Sequence, residues 1–281
     1  MKKENYVLKF LDKNEIEDII DPSATKVISY LLKKVLFSQP ELRDGQKPSN
    51  IQMTKEFLEQ WIAQALDLEV IGAGNYPIDV YSKEDKLGID IKFLSSRVDK
   101  AGEFVSGLSN ETSLAQNFKE EGKNLDQLFA KEDFENILNK WQGLLVRKLS
   151  KAIQEKSLKK IFYFIFIRGG DQISLAICEV NPKKLKSLKV IRGTDSSVFV
   201  SGYCPEKYGE VKIYKSKKRM ELRTFPKNLL EDEKLISWDF SPIYKQKTIN
   251  LRELIKDEKK FNEYVKSNFN SLFSTIGHHE D

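Results

Sequence analysis

Two apolar runs on either side of a charged tip, all within residues 74–96, constrain the fold of this chain more than any other stretch. The runs cover residues 76–81 and 87–94, and the tip between them reads Lys-Glu-Asp-Lys. Runs rich in β-branched and aromatic residues around a polar tip are typical of an antiparallel β-hairpin. The sequence therefore predicts a hairpin here, as the element around which the fold is organised.

The predicted hairpin gathers charged side chains on one of its faces. A turn centred between residues 84 and 85 places Asp79 opposite Asp90. Because side chains alternate between the two faces of a strand, Lys92 shares the face of Asp90, and the apolar residues 89, 91 and 93 share the other. Two partly buried carboxylates repel each other unless a positive charge lies between them. Mg²⁺, which binds one or two carboxylates together with waters and phosphate oxygens, is such a charge.

An acidic residue two positions before a lysine is not specific in a chain with 42 Asp and Glu against 47 Lys and Arg. The same spacing begins at residues 84, 121, 210, 232 and 257, and only the pair at 210 also lies in a strand-like run. Asp90 and Lys92 differ from these because a glycine and an apolar strand surround them, and because Pro77 and Asp79 lie on the preceding strand. These features favour a metal site over the alternative, a solvated polar face of an ordinary hairpin.

Asp79, followed 11 positions later by Asp90-Ile91-Lys92, resembles the signature of the PD-(D/E)xK nuclease superfamily. The length and composition of the chain resemble those of its type II restriction endonucleases. The resemblance implies an Mg²⁺-dependent enzyme that hydrolyses double-stranded DNA as a homodimer on a palindromic site. It also implies that Asp79 and Asp90 bind the metal ion, with the Ile91 carbonyl as a further ligand. Lys92 would assist the attacking water. The sequence departs from the signature in the residue between Pro77 and Asp79.

Two other functions stay open at the level of the sequence. A repair, junction-resolving or toxin nuclease would use the same chemistry for another purpose, and cleavage tied to branched DNA or RNA would favour it. A non-catalytic DNA-binding protein, in which the hairpin is structural, is the other alternative. Such a protein would neither cleave DNA nor be stabilised by Mg²⁺ or Ca²⁺.

Histidine chemistry is disfavoured by the positions of the two histidines. His278 and His279 lie in the last four residues of the chain, and chain ends are usually frayed. Ser-His hydrolases, histidine-metal nucleases and histidine-phosphate mechanisms are therefore not expected. A hydrolytic base must instead be a carboxylate, a lysine or metal-bound water.

At 281 residues the chain can hold one large domain or two small ones, and its 40% hydrophobic content supports a substantial core. The 32% of charged residues predicts a soluble protein, and the resemblance implies a single nuclease domain. We predict an α/β fold with a central mixed β-sheet flanked by helices, which is a restriction endonuclease-like core. Within it we expect an N-terminal helical part (1–50), a catalytic core (51–180), and a basic strand-rich segment with a C-terminal helix (181–281). The longest apolar run, residues 161–167, is too short for a membrane span. The lack of an apolar signal core and the presence of only two cysteines predict a cytoplasmic protein.

Apolar spacing places helices and further strands around the hairpin. Residues 54–66 predict a helix whose apolar face is flanked by Glu59. In the family that the chain resembles, such a helix often lends an acidic residue to the site, so Glu59 is a candidate; a helix-surface glutamate is the commoner alternative. Helical spacing also covers residues 114–153, with a break near 121–122. Residues 161–167 and 173–180 predict strands that extend the sheet of the hairpin, and 188–192, 198–203 and 211–214 predict more strands.

Residues 147–227 are strongly basic, with 20 Lys and Arg against 7 Asp and Glu. Such asymmetry predicts a region that faces nucleic acid, and a solvated surface with scattered lysines is the alternative. The candidate DNA contacts in this region are Lys215, Lys217, Lys218, Arg219 and Arg223. The polar stretch after the hairpin adds Ser95 and Arg97 as candidates, because hydroxyls and guanidinium groups bind phosphates and base edges.

Overall fold

The computed structural model describes residues 6–47, 51–71, 76–105, 109–116, 125–240 and 247–274. Its strands are β1 (Leu8–Phe10), β2 (Glu69–Val70), β3 (Val80–Ser82), β4 (Leu87–Ser95), β5 (Thr112–Gln116), β6 (Lys160–Gly169), β7 (Gln172–Val180), β8 (Lys189–Gly193), β9 (Ser197–Ser201), β10 (Gly209–Tyr214), β11 (Arg219–Thr224) and β12 (Ile236–Asp239). Its helices are α1 (Lys13–Ile19), α2 (Pro22–Phe37), α3 (Lys55–Ala65), α4 (Leu125–Ala130), α5 (Phe134–Lys156), α6 (Pro226–Glu231), α7 (Leu251–Leu254) and α8 (Glu258–Ser274). The start of the hairpin stretch at 74–75, the helix break at 121–122 and both histidines lie outside the described residues.

A seven-stranded mixed sheet carries the hairpin at its centre. Its order is β1-β7-β6-β4-β3-β2, and β12 lies beside β1 along the same edge of β7. β4 and β6 are parallel, whereas the other pairs are antiparallel. β6 is a continuous apolar run because both faces of this central strand are buried. The prediction that β6 and β7 extend the sheet of the hairpin is confirmed.

Three N-terminal helices cover one face of this sheet. Asp21 caps α2 by accepting from the backbone N–H of Ala24 at 2.7 Å, and Pro22 occupies the first turn, where its missing N–H is not needed. The helix expected at 54–66 is confirmed as α3, with Thr54 as its N-cap. The apolar sides of α1, α2 and α3 form one buried cluster with residues of β4, β6 and β7 on this face, such as Ile89, Phe164 and Leu175.

The opposite face is covered by α5 and by a second sheet. This sheet has five antiparallel strands in the order β5-β11-β10-β9-β8. Its inner side chains, such as Val200, Ile213 and Leu222, belong to the same buried cluster as Trp141 and Leu145 of α5. One face of β4 therefore looks towards α5 and the second sheet.

The prediction of helical structure from residue 114 onward is wrong at its start. Leu114 and Ala115 belong to β5, which pairs with β11. The pairing of β5 with β11 shifts register at Leu114, and such a bulge allows these two consecutive residues to be buried together. Only pairing with a distant strand decides between this strand and a helix. In the described part of this region after β5, α4 and α5 confirm the predicted helical structure.

The α/β class with a mixed sheet flanked by helices is confirmed, and the strands expected at 188–192, 198–203 and 211–214 exist. They form a separate sheet, which the sequence did not predict. The predicted C-terminal helix is divided into α7 and α8. Among the described helices, none has the length and apolar composition that a membrane span needs.

Candidate functional site

The hairpin of β3 and β4 has the register that the sequence predicts. Val80 pairs with Ile89, and residues 83–86 form the tip. Asp79 lies in a bend just before β3 rather than inside the strand. Its backbone N–H donates to the Ile89 carbonyl at 2.8 Å, and its carboxylate accepts from the backbone N–H of Ile91 at 2.6 Å. The Asp79 carboxylate therefore lies alongside β4 and accepts a backbone hydrogen bond that a carbonyl of a neighbouring strand would otherwise accept.

Asp90 and Lys92 share the face of β4 that looks towards α5. They are only 4% and 7% exposed, and the Lys92 Nζ lies 2.7 Å from the Asp90 Oδ1. The Lys92 ammonium also lies 5.4 Å from the ring centre of Tyr163, which is directly beside Asp90 on β6. Ile91 is fully buried on the opposite face, so the predicted alternation of faces is confirmed.

The first turns of α3 bring a lysine and a glutamate to Asp79. The Lys55 Nζ lies 3.0 and 3.1 Å from the two carboxylate oxygens of Asp79 and 2.9 Å from the Glu59 Oε1. One ammonium thus joins two carboxylates from different elements. Glu59 was predicted from the sequence and Lys55 was not, although their four-residue spacing on one helix was a usable signal.

The carboxylates of the hairpin interact electrostatically. Burial and then the negative charge of Asp90 raise the pKa of Asp79 to about 6, against the opposing effects of Lys55 and the Ile91 N–H. Burial alone would lower the pKa of Lys55, but its bonds to Asp79 and Glu59 raise that pKa to about 12. A cation near Asp79 and Asp90 would therefore relieve a repulsion that the structure contains.

The donor set at this place suits Mg²⁺ held by few protein ligands. Asp79 and Asp90 supply two carboxylates. In an extended strand the N–H and C=O of one residue point to the same side, so the Ile91 carbonyl faces the side on which Asp79 lies. Within the described ranges, no three His, Cys, Asp or Glu side chains converge closely enough to enclose a metal ion. Two carboxylates, waters and phosphate oxygens are nevertheless a common Mg²⁺ environment.

A third lysine, Lys148 of α5, lies in the same electrostatic environment. Burial lowers the pKa of Lys148, and the charges of Asp90, Lys92 and Asp79 also act on it. Its Nζ donates a long hydrogen bond of 3.4 Å to the Leu114 carbonyl in β5. Lysines in helices usually lie at the surface, so no sequence pattern marks Lys148 as a site residue.

The two candidates that follow the hairpin have different surroundings. Ser95 ends β4, and its hydroxyl accepts from Arg168 at 2.8 Å. Arg168 also donates to the Ile51 carbonyl at 2.6 Å, so Ser95 belongs to a network that ties the sheet to the loop before α3. Arg97 is exposed and is available to a ligand.

The basic candidates around the β10–β11 hairpin fall into two groups. Lys217 and Arg223 both bind Glu111, which precedes β5, and the Arg223 Nη2 lies 2.5 Å from its Oε1. These two cations are therefore neutralised within the protein. The other candidates form no ion pair with any described residue: Lys215, Lys218 and Arg219. Of these, Lys218 and Arg219 are exposed.

Comparisons of the chain with protein-family models, with curated proteins and with solved structures find no match. The resemblance to PD-(D/E)xK nucleases stays a prediction from the sequence. A functional proposal for this protein rests on that local signature and on the geometry of the hairpin and the helices around it.

Proposed function

We propose that the protein is an Mg²⁺-dependent endonuclease that hydrolyses phosphodiester bonds in double-stranded DNA, as a sequence-specific type II restriction enzyme does. One observation carries the proposal. Asp79 and Asp90 lie close enough for the charge of Asp90 to raise the pKa of Asp79, and Lys92 lies on the face of Asp90. Two carboxylates and an ammonium gathered around one β-hairpin suit metal-assisted phosphodiester hydrolysis.

Asp79, Asp90 and the Ile91 carbonyl are the groups that would hold the ion. When bound, Mg²⁺ supplies positive charge that offsets the negative charge developing on the leaving oxygen. Lys55 pairs with both Asp79 and Glu59, and its side chain is 38% exposed, so it can turn towards solvent. That movement would leave Asp79 to the ion and make Glu59 available as a further carboxylate.

Lys92 is the residue that would orient the attacking water. Its ammonium is held by Asp90 and lies near the Tyr163 ring, so its position is restricted. A donor fixed in this way places a water oxygen in line with the leaving oxygen without losing much conformational freedom during the reaction. The low exposure of both Asp90 and Lys92 strengthens their electrostatic effect on the substrate.

The exposed cations supply the proposed contacts to DNA. Lys218 and Arg219 at the β10–β11 hairpin, together with Arg97, would bind backbone phosphates. We further propose a homodimer, because a two-fold axis presents two equivalent sites to the two strands of a palindromic sequence. Such a protein would act in the cytoplasm.

Incubation of the purified protein with plasmid DNA and Mg²⁺, followed by sequencing of the ends, tests the proposal. Ends at one short sequence are expected of a restriction enzyme. Cleavage that depends on branched DNA, or that acts on RNA, would favour a repair, junction-resolving or toxin nuclease. A protein that neither cleaves DNA nor gains stability from Mg²⁺ or Ca²⁺ would contradict the nuclease and favour a DNA-binding role.

Variants of the hairpin residues test the assignment of roles. Asp90→Ala and Lys92→Met are expected to reduce the cleavage rate by roughly 10³-fold or more while most DNA affinity remains. Glu210→Ala and Lys212→Met are matched controls, because they break an ion pair with the same spacing on β10. These controls are expected to cleave at the wild-type rate. Equal cleavage by Asp90→Ala and the wild type would refute the assignment.

A further inference from the structure

Lys148 lies on the inward side of α5, where the helical spacing otherwise places apolar residues. Trp141, Leu145 and Ala152 are fully buried, and positions 141, 145, 148 and 152 follow one face of the helix. Lys148 is half-buried, whereas Lys151 on the same helix is exposed. The Lys148 side chain therefore points towards the inside of the protein, against the usual preference of lysine.

Lys148 also lacks the carboxylate partner that the other lysines of the site have. Lys55 and Lys92 each pair with carboxylates at 2.7–3.0 Å. In the part of the chain that the structure describes, Lys148 forms no ion pair, and its ammonium donates to the Leu114 carbonyl at 3.4 Å. A partly buried ammonium without an anionic partner is unfavourable. An anionic ligand would supply the missing partner.

The charges that act on Lys148 indicate where its ammonium lies. After burial, they are the carboxylate of Asp90, the ammonium of Lys92 and the carboxylate of Asp79. The Lys148 ammonium therefore lies within electrostatic range of the residues that would hold a phosphodiester in the proposed nuclease. It belongs to α5, whose buried residues share one core cluster with Leu94 of β4 and Tyr163 of β6, on the face of the sheet that carries Asp90.

We infer that Lys148 binds a non-bridging oxygen of the substrate phosphate and is thus a second substrate-contacting lysine beside Lys92. The inference rests on the proposed function and names a residue that the sequence signature does not contain. Lys148 forms no covalent bond and transfers no proton. Its fixed positive charge stabilises the negative charge that grows on the phosphate oxygens while the bond from water forms and the bond to the leaving oxygen breaks.

Three variants test this role in cleavage. Lys148→Met keeps the length of the side chain and removes the ammonium, Lys148→Arg keeps the charge, and Lys151→Met removes an exposed lysine from the same helix. Lys148→Met is expected to lower kcat by about 10²-fold, with a smaller change in KM for DNA. Lys148→Arg should recover most of the loss, and Lys151→Met should cleave at the wild-type rate.

Binding of a short DNA duplex in Ca²⁺ gives a readout that does not depend on cleavage. Loss of one phosphate contact reduces the slope of log affinity against log salt concentration by about 1. We expect this reduction for Lys148→Met and the wild-type slope for the other two variants. Thermal unfolding serves as the folding control, and Lys148→Met should unfold at or above the wild-type temperature because a partly buried charge is removed.

Wild-type kcat and wild-type salt slope in Lys148→Met would overturn the inference. A loss of activity in Lys148→Met that Lys148→Arg does not recover, together with a lower unfolding temperature, would also overturn the inference. This combination indicates a packing role. Failure of the proposed function is distinguishable from both. A wild type that binds DNA without cleaving it would contradict the nuclease, and a smaller salt slope in Lys148→Met would still support phosphate binding by Lys148. A wild type that does not bind the duplex would contradict both proposals.

Discussion

At the scale of single residues, the Asp79 carboxylate connects the elements of the site. It accepts from the Ile91 backbone on β4 and from Lys55 on α3, and it lies close to the charge of Asp90. Because Asp79 lies in a bend and not in the β3 ladder, its carboxylate can occupy the hydrogen-bonding position beside the neighbouring strand. The raised pKa of Asp79 reflects a position in which burial and repulsion together outweigh these favourable bonds.

Asp79→Asn is expected to stabilise the metal-free protein above about pH 6. The folded-state pKa of Asp79 is raised to about 6, so the native protein holds this proton more tightly than the unfolded chain. The stability that protonation contributes is present at low pH and is lost as the pH rises through that pKa, by up to about 3 kcal/mol. Urea unfolding in EDTA should show a gain at pH 8 and little change at pH 4. A loss of stability at pH 8 would mean that the ion pair with Lys55 dominates.

Lys55→Met is expected to tighten the binding of divalent cations. The Lys55 ammonium lies within 3.1 Å of both Asp79 oxygens and competes with an incoming ion for the same carboxylate. Removing this competitor should lower the Kd for Mg²⁺ or Ca²⁺ by roughly tenfold, or about 1.4 kcal/mol. Isothermal titration calorimetry measures the change, and Lys83→Met, at the exposed hairpin tip, is the control. Weaker binding by Lys55→Met would show instead that the lysine orients Asp79 for the metal.

At the scale of the elements, the sequence predicts a helix or strand correctly where the pattern within that element is enough to determine its structure. The hairpin, the buried strands β6 and β7, and α3 with its Thr54 cap follow from apolar runs, turn residues and helical spacing. β5 was not predictable, because its short apolar pair becomes a strand only through pairing with β11. Lys148 was not predictable as a site residue either, since its position depends on how α5 packs in the core shared by the two sheets. Such packing has no signature within the helix itself.

A network of charged side chains on the outer face of the second sheet joins β5 to β10 and β11. Glu111 binds Tyr214, Lys217 and Arg223. Burial would raise the pKa of Glu111, but the Glu221 carboxyl, these cations and the Tyr214 hydroxyl lower it to about 2. Burial and the hydrogen bond with Glu111 raise the pKa of Glu221. The hydrogen bond between the two carboxyl groups therefore favours the charged form of Glu111 and the neutral form of Glu221.

Opposite effects on stability are expected for Glu111→Gln and Glu221→Gln. The lowered pKa of Glu111 gives stability that is present above its unfolded-state pKa and is lost as the pH falls towards 2. Glu111→Gln should therefore cost about 2 kcal/mol at pH 7, because charge-assisted hydrogen bonds are lost. The raised pKa of Glu221 has the reverse sign, so Glu221→Gln should be neutral or stabilising. Equal losses in urea unfolding at pH 7 would contradict this account of the network.

At the scale of the whole molecule, net charge alone overstates the number of cations that are available to an external ligand. The basic region of 147–227 contains 20 Lys and Arg. Two of them, Lys217 and Arg223, form ion pairs with Glu111 within the protein. Lys218 and Arg219 lie beside them in sequence and are exposed. The capacity to bind phosphates therefore depends on which cations lack an internal partner and not on the density of charge along the chain.

The double variant Lys218→Ala, Arg219→Ala is expected to weaken DNA binding by loss of phosphate contacts. The slope of log affinity against log salt concentration should fall by about 2, with unchanged thermal stability. Arg223→Ala serves as the comparison, because its partner Glu111 is left without that cation. It should lower the unfolding temperature and leave the salt slope nearly unchanged. A double variant with the wild-type slope would remove this hairpin from the proposed DNA contacts.

The position of β5 in the chain also bears on when the protein becomes complete during translation. β5 lies between β4 and β6 in sequence, but its partner strand β11 ends only at Thr224. Likewise, β1 near the start of the chain can pair only after β7 has been synthesised. Pairings between distant segments form late and slowly. A nascent chain emerging from the ribosome thus displays Asp79, Asp90 and Lys92 long before their enclosure exists. The proposed nuclease activity would accordingly arise only when synthesis is nearly finished.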